Sequence, residues 1–320
     1  LDVWMEYAWK KEIHGSILAY LGMKKDHFYS VENTVDGKFF VTARGWEDLS
    51  EILKAYEELG VEITENLIGE YLCRDEIARS FFASYQLYRK YGEDYGLKRL
   101  LSGEMAEEEQ QKKVKMAEGA SFEERFLVTG LLLSGLNGSF LDYEKLDKET
   151  GAVYQELLHL KAFLHDKKDM TALDEFTDVK KKSLAVRLEA ELLNLEQQTT
   201  EEFVIRTLEE FSLTIRKEHI TDTETGFERI RQLFTEMVEK RKDCAKKISR
   251  ELERAFAFMK ACFGDGQETV LFVTGLTRNS HAAAFIREYG CDPYFACSEK
   301  LLYRKQEKKL QEECESLLKI

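Results

Sequence analysis

Proline occurs once in 320 residues, where average usage is near 5%. Proline removes a backbone donor and breaks helix interiors, so its scarcity leaves few obligatory interruptions to helix. Long apolar runs are also missing. No stretch approaches the roughly 20 residues that a membrane helix needs, and the amino terminus has no basic-then-apolar leader pattern. That excludes a membrane-spanning helical protein and points to a soluble, cytoplasmic one. Positive charge is in deficit, with 47 basic against 60 acidic residues and a formal charge of −13. Nucleic acid and anionic lipid are therefore repelled on average, and neither is expected as a partner.

Metal-binding and redox patterns are absent as well. The six cysteines, at 73, 244, 262, 291, 297 and 314, form no C-x-x-C pair and share no zinc-type spacing with histidine. They read as reduced thiols. His14, His27 and His281 follow no H-E-x-x-H pattern, so no metal site is expected. A phosphate-cradling G-x-x-x-x-G-K-[ST] loop does not occur. The Gly37-Lys38 pair falls in a turn-like segment, and Leu173-Asp-Glu175 lacks the apolar strand that would place a magnesium-binding acid. By itself the chain is not expected to be an enzyme or to hold a cofactor.

What remains is helical. Hydrophobic residues make up 43% of the chain, enough for one large or two medium cores, and good helix formers dominate between the glycines. The expected fold class is all-α. Residues 1–95 read as a small, aromatic-rich unit of short helices. The stretch between Phe28 and Thr42, around Asp36-Gly37, fits a short β-hairpin or an extended loop. A helix runs from Ala43 to Leu59, with Thr42 as N-cap and Gly60 as its stop. Helices over about 65–72 and 75–91 follow. The charge run Glu107–Lys113 places a linker at 96–115; a solvated helix face accounts for the run equally well, and both hold if the linker is helical.

Residues 116–320 read as a bundle of long helices. One opens at the capping box Ser121–Glu124 and ends at Gly135 to Gly138, and another covers Tyr143–His165. Thr199–Glu202 and Thr225–Glu228 are further boxes. A continuous helix over 226–263, expected to be the longest, would lie along the bundle. Residues 269–275 fit strand or helix, and helix is favoured because a lone strand would leave its backbone unpaired. Ser280–Tyr289 and Ser298–Leu318 complete the bundle. Leu1 falls inside a helix-like stretch, so the chain is expected to be a segment of a longer parent.

One segment stands out chemically. Phe40–Asp48 puts Arg44 in the first turn of a helix, where a cation opposes the helix dipole unless an anion sits nearby. A helix amino terminus with a guanidinium suits phosphate. On spacing alone, a pair with Glu47, Asp48 or a carboxylate of the preceding loop is the favoured account of Arg44. Trp4, Trp9 and Trp46 fit a core better than a ligand cage. Lys180–Lys182 and Lys240–Lys247, interleaved with acids, fit solvated faces.

Trp4 and Trp9, then Ile13–Leu18, then Phe40-Val-Thr-Ala-Arg-Gly-Trp-Glu47 resemble the lid of MoxR-type AAA+ ATPases. There a tryptophan-rich helix precedes Thr-Pro-Arg-Ser-Trp-Glu. Ala43 replaces the proline and Gly45 the serine. The resemblance covers about the first 95 residues. It implies that Arg44 is a sensor-2 arginine serving ATP and Mg2+ held in the parent's AAA+ core. It further implies neighbouring subunits of a hexamer, a chaperone-like remodelling role, and a protein client or von Willebrand factor A-domain partner gripped by residues 116–320. The competing reading is a free-standing helical interaction module without nucleotide.

Overall fold

The computed structural model describes residues 1–34, 37–167 and 169–301. The described residues are helical apart from one two-stranded antiparallel sheet and the connecting turns, which makes the fold all-α with a short hairpin. In order the elements are α1 (Asp2–Lys10), α2 (Gly15–Met23), a 3-10 turn at Lys25–His27, β1 (Ser30–Thr34), β2 (Gly37–Val41), α3 (Ala43–Leu59), α4 (Glu65–Tyr71), α5 (Asp75–Tyr95), α6 (Leu97–Ser102), α7 (Glu107–Glu118), α8 (Phe122–Leu164), α9 (Thr171–Glu189), α10 (Leu195–Lys217), α11 (Thr223–Phe263), α12 (Gln267–Arg278) and α13 (Ser280–Tyr289). Residues 292–301 are also helical, and the rest of the helix expected over 298–318 lies outside the described residues. The ambiguous stretch 269–275 is helix, inside α12.

Two compact units emerge: Leu1–Phe140 with the chain from Lys247 onward, and Leu141–Lys246. This division differs from the expected linker at 96–115. The charge run there forms the first two turns of α7, with none of its residues buried, while Leu97, Leu100, Leu101 and Met105 just before it are buried. The run is solvated helix, the alternative that its charge pattern also allowed.

In the first unit, local chemistry sets the boundaries of α3. Thr42, extended at φ −135°, accepts a hydrogen bond from the Gly45 N–H, and Gly60 ends the helix at φ +67°, a conformation that glycine adopts without strain. β1 and β2 pair from Ser30 opposite Val41 to Thr34 opposite Gly37. The interior is aromatic. Tyr20, Trp46 and Phe81 are fully buried, with the Trp46 ring 5.9 Å from Tyr20 and 5.3 Å from Phe81.

α8 corrects a sequence expectation. A stop at Gly135 to Gly138 does not occur, and the helix runs for 43 residues, which makes it longer than α11 at 41. Two of its glycines are close-approach points: a Cβ on Gly130 would lie 2.8 Å from Ala19 Cβ, and one on Gly135 would lie 2.9 Å from Leu101 Cδ1. Packing against neighbours outweighs the modest helix cost of glycine. α11 is continuous as expected.

Capping also shifts. Ser121 Oγ accepts from the Glu124 N–H at 3.3 Å, as the first box requires. α10, however, opens at a reciprocal box of Asn194 and Gln197, while Thr199 and Thr200 donate back to the Glu196 carbonyl. Near the start of α11, Asp222 Oδ2 accepts from the Thr225 N–H. Asparagine and aspartate, at least as good at this position as threonine, take the caps just upstream.

The second unit packs Val153, Leu157 and Leu160 of α8 with Leu173 and Phe176 of α9, Val204, Leu208, Phe211 and Ile215 of α10, and Ile230 of α11. The α10 residues are the four expected from their spacing.

Candidate functional site

The segment Thr42–Asp48 sends successive side chains to different places. Thr42 caps. Gly45 lies against the end of α4, where a Cβ would fall 2.8 Å from the Tyr71 carbonyl oxygen, so the smallest residue fits and a serine would crowd the backbone. Trp46 is fully buried and its Nε1 donates to the Phe28 carbonyl at 3.2 Å. Glu47 turns to α1, accepting from Trp4 Nε1 at 3.3 Å and from the Tyr7 hydroxyl at 3.2 Å. Trp4 also packs on Phe28, centroids 5.0 Å apart, and Trp9 is buried. The tryptophans therefore serve as core and brace.

Arg44 points the other way. Its side chain is 79% exposed, and its Nε lies 2.9 Å from Asp48 Oδ1, one turn along α3. The hydrogen bond and charge of Asp48 raise the guanidinium pKa further above its ordinary value, so Arg44 is charged at every pH of interest. The bond is made by Nε, the inner of the three guanidinium nitrogens. Among the carboxylates that spacing allowed, Asp48 is the partner, because Glu47 is committed to Trp4 and Tyr7.

Beneath α3 lies a polar network that sequence patterns do not reveal. His14 is the N-cap of α2, its Nδ1 accepting from the Ser16 N–H. Its Nε2 is 3.1 Å from Glu57 Oε2, and the Tyr85 hydroxyl donates to Glu57 Oε1 at 2.8 Å. The His14 N–H donates to Ser50 Oγ at 2.8 Å. Burial by itself would raise the Glu57 carboxyl. The hydrogen bonds from His14 and Tyr85 and the nearby Arg89 outweigh it, leaving the carboxyl below its ordinary value. The Tyr85 hydroxyl is pushed well up by burial and by Glu57. The network ties the α1–α2 turn, α3 and α5 together, fixing the platform that carries Arg44. His14 and Glu57 are 43 residues apart, beyond any local motif.

The remaining candidates have structural employment. Lys180 pairs with Glu156 at 2.6 Å, Lys242 with Glu239 at 2.7 Å and Lys246 with Asp243 at 2.9 Å. Asp174 of Leu173-Asp-Glu175 accepts from Ser212 at 2.6 Å. Burial pushes the Cys262 thiol up to about 12 and the Cys291 thiol above its ordinary value, so neither carries thiolate near neutrality. Among the described residues no group of three or more His, Cys, Asp or Glu is arranged to hold a metal, and no helix is long and apolar enough to cross a membrane. No protein-family model, no curated protein and no solved structure matches the chain.

Proposed function

We propose that residues 1–95 are the lid of a MoxR-type AAA+ ATPase and that Arg44 is its sensor-2 arginine. On this reading ATP and Mg2+ are held by a core domain elsewhere in the parent chain. The phosphate-cradling amides and the magnesium-binding acid belong to that core, and this chain contributes the guanidinium. The carrying observation is the contrast at one helix turn: Trp46 and Glu47 are locked into the unit while Arg44, between Ala43 and Gly45, stands 79% exposed at the amino end of α3. A guanidinium there, bonded through Nε, has a planar fork suited to two oxygens of a terminal phosphate. Residues 116–320 would couple lid movement to a protein client or a von Willebrand factor A-domain partner, in a ring of like subunits in the cytoplasm.

One observation favours the rival, a free-standing helical interaction module without nucleotide: the Asp48 pair already answers the charge of Arg44 locally. The two readings separate in the full-length parent. Loss of a group that stabilises charge during phosphoryl transfer costs roughly 10- to 1000-fold in turnover. Arg44→Ala should reduce steady-state ATP hydrolysis by that much with an unchanged thermal melt, and Arg44→Lys should be nearly as damaging, since an ammonium cannot reproduce the fork. Hydrolysis within about twofold of the parent in both variants would support the rival. The 320-residue chain alone should bind no ATP at micromolar concentration, and calorimetry showing tight binding would overturn the lid assignment.

A further inference from the structure

Within the first unit, α1, α2, α8 and α12 surround a cleft of about 390 Å³. Glycines set the helices around it. A Cβ on Gly130 of α8 would lie 2.8 Å from Ala19 of α2, and one on Gly275 of α12 would lie 2.5 Å from Leu133 Cδ1 of α8. Helices that meet this closely leave a floor of Leu18, Ala19 and Leu133, all buried. Trp9, Phe126 and Leu271 form apolar walls.

The charges of the lining depart from those of the chain. Acidic residues outnumber basic ones 60 to 47 overall, yet Lys25 and Arg278 line the cleft and, among the described residues, no aspartate or glutamate does. Both cations are exposed, Lys25 on the 3-10 turn and Arg278 at the last residue of α12. Thr274 spends its hydroxyl on the Val270 carbonyl at 2.7 Å, so it presents its methyl as an apolar group. An apolar interior with a cationic rim complements a molecule with an apolar body and an anionic end. The volume falls at the lower end of the roughly 300–1,000 Å³ found for small-molecule sites.

We propose that this cleft binds an amphipathic carboxylate of medium chain length, its hydrocarbon on the Leu18, Leu133 and Leu271 surface and its carboxylate between Lys25 and Arg278. The site is independent of Arg44 and of the lid reading.

The test uses the whole 320-residue chain with dodecanoate as probe, below its micellar concentration, against dodecanol and dodecyltrimethylammonium. Calorimetry should give saturable one-to-one binding of dodecanoate, at least tenfold weaker binding of dodecanol, and none of the cation. The double variant Lys25→Glu/Arg278→Glu should weaken dodecanoate at least tenfold with an unchanged circular dichroism spectrum. Leu271→Trp, which fills the cleft, should abolish binding of both dodecanoate and dodecanol. Equal binding of the three amphiphiles would overturn the proposal, as would dodecanoate affinity unmoved by the charge reversal, or no binding at all, the result expected if the cleft takes an acidic peptide instead. Should Leu271→Trp fail to fold, the charge reversal at two exposed positions still decides.

Discussion

Residues 1–95 and the second compact unit are both helical, but they hold themselves together by different means. The first 95 residues interlock through aromatic rings and long-range polar contacts: Tyr20, Trp46 and Phe81 ring to ring, Trp46 Nε1 on the Phe28 carbonyl, and Glu57 shared by His14 and Tyr85. The second unit relies mainly on aliphatic side chains at helical spacing, with fewer ring pairs, Phe163 on Phe176 and Tyr154 on Phe234, and with ion pairs on its surface such as Arg187 with Glu201 and Lys180 with Glu156. An aromatic core with specific hydrogen bonds fixes one geometry closely. An aliphatic stripe tolerates adjustment along the helix. A guanidinium that must reach a phosphate needs the first kind of support, and a helical coupling element can use the second.

Trp46→Ala should have the largest effect on stability. It removes a fully buried indole and orphans the Phe28 carbonyl, and a cost of about 3–5 kcal/mol is expected in urea denaturation. A loss under about 1 kcal/mol would show that the aromatic cluster does not hold the region. Gly45→Ala comes next, at about 1–3 kcal/mol, because the new Cβ would meet the Tyr71 carbonyl at 2.8 Å. A neutral or stabilising result would mean that α4 moves aside easily and the platform is softer than described.

Glu57→Gln should cost about 1 kcal/mol near neutral pH, a figure reduced for the partial exposure of this carboxylate. The sign of its pH dependence follows from a depressed folded-state pKa. The carboxylate contributes stability above its unfolded pKa and loses it as pH falls through the folded one. Melting curves of the parent should therefore fall through the carboxylate range more steeply than those of Glu57→Gln, and parallel curves would remove the network from the account. In the second unit, Arg187→Ala breaks a bidentate pair with Glu201, yet it should change stability by under about 1 kcal/mol, since both partners remain about one-third exposed. A loss as large as that of Trp46→Ala would erase the contrast between the regions.

Much of the fold was legible because its signals are local. The hairpin around Gly37, the Thr42 cap, the Gly60 stop and the α10 stripe each rest on residues a few positions apart. The errors arose where distant packing outvoted local preference. Gly135 read as a helix stop, while its lack of a side chain accommodates Leu101. The run Glu107–Lys113 was readable as linker or as solvated helix, and its charges carry no mark of the buried leucines of α6 before it. At the candidate site, the placement of Arg44 in the first turn and its pairing options could be read from spacing. The choice of Asp48 over Glu47 could not, because it depends on Trp4 and Tyr7, about 40 residues away.

On the proposed lid reading Arg44 is exposed for a phosphate and its Asp48 pair is incidental, and a charge swap tests this most directly. In the full-length parent, Arg44→Asp combined with Asp48→Arg keeps an i,i+4 ion pair on α3 and moves the guanidinium one turn along the helix. Steady-state ATP hydrolysis of the double variant should remain as low as that of Arg44→Ala, roughly 10- to 1000-fold below the parent. Restoration to within about twofold of the parent would show that the ion pair is what matters, and would contradict the assignment of Arg44 to the nucleotide.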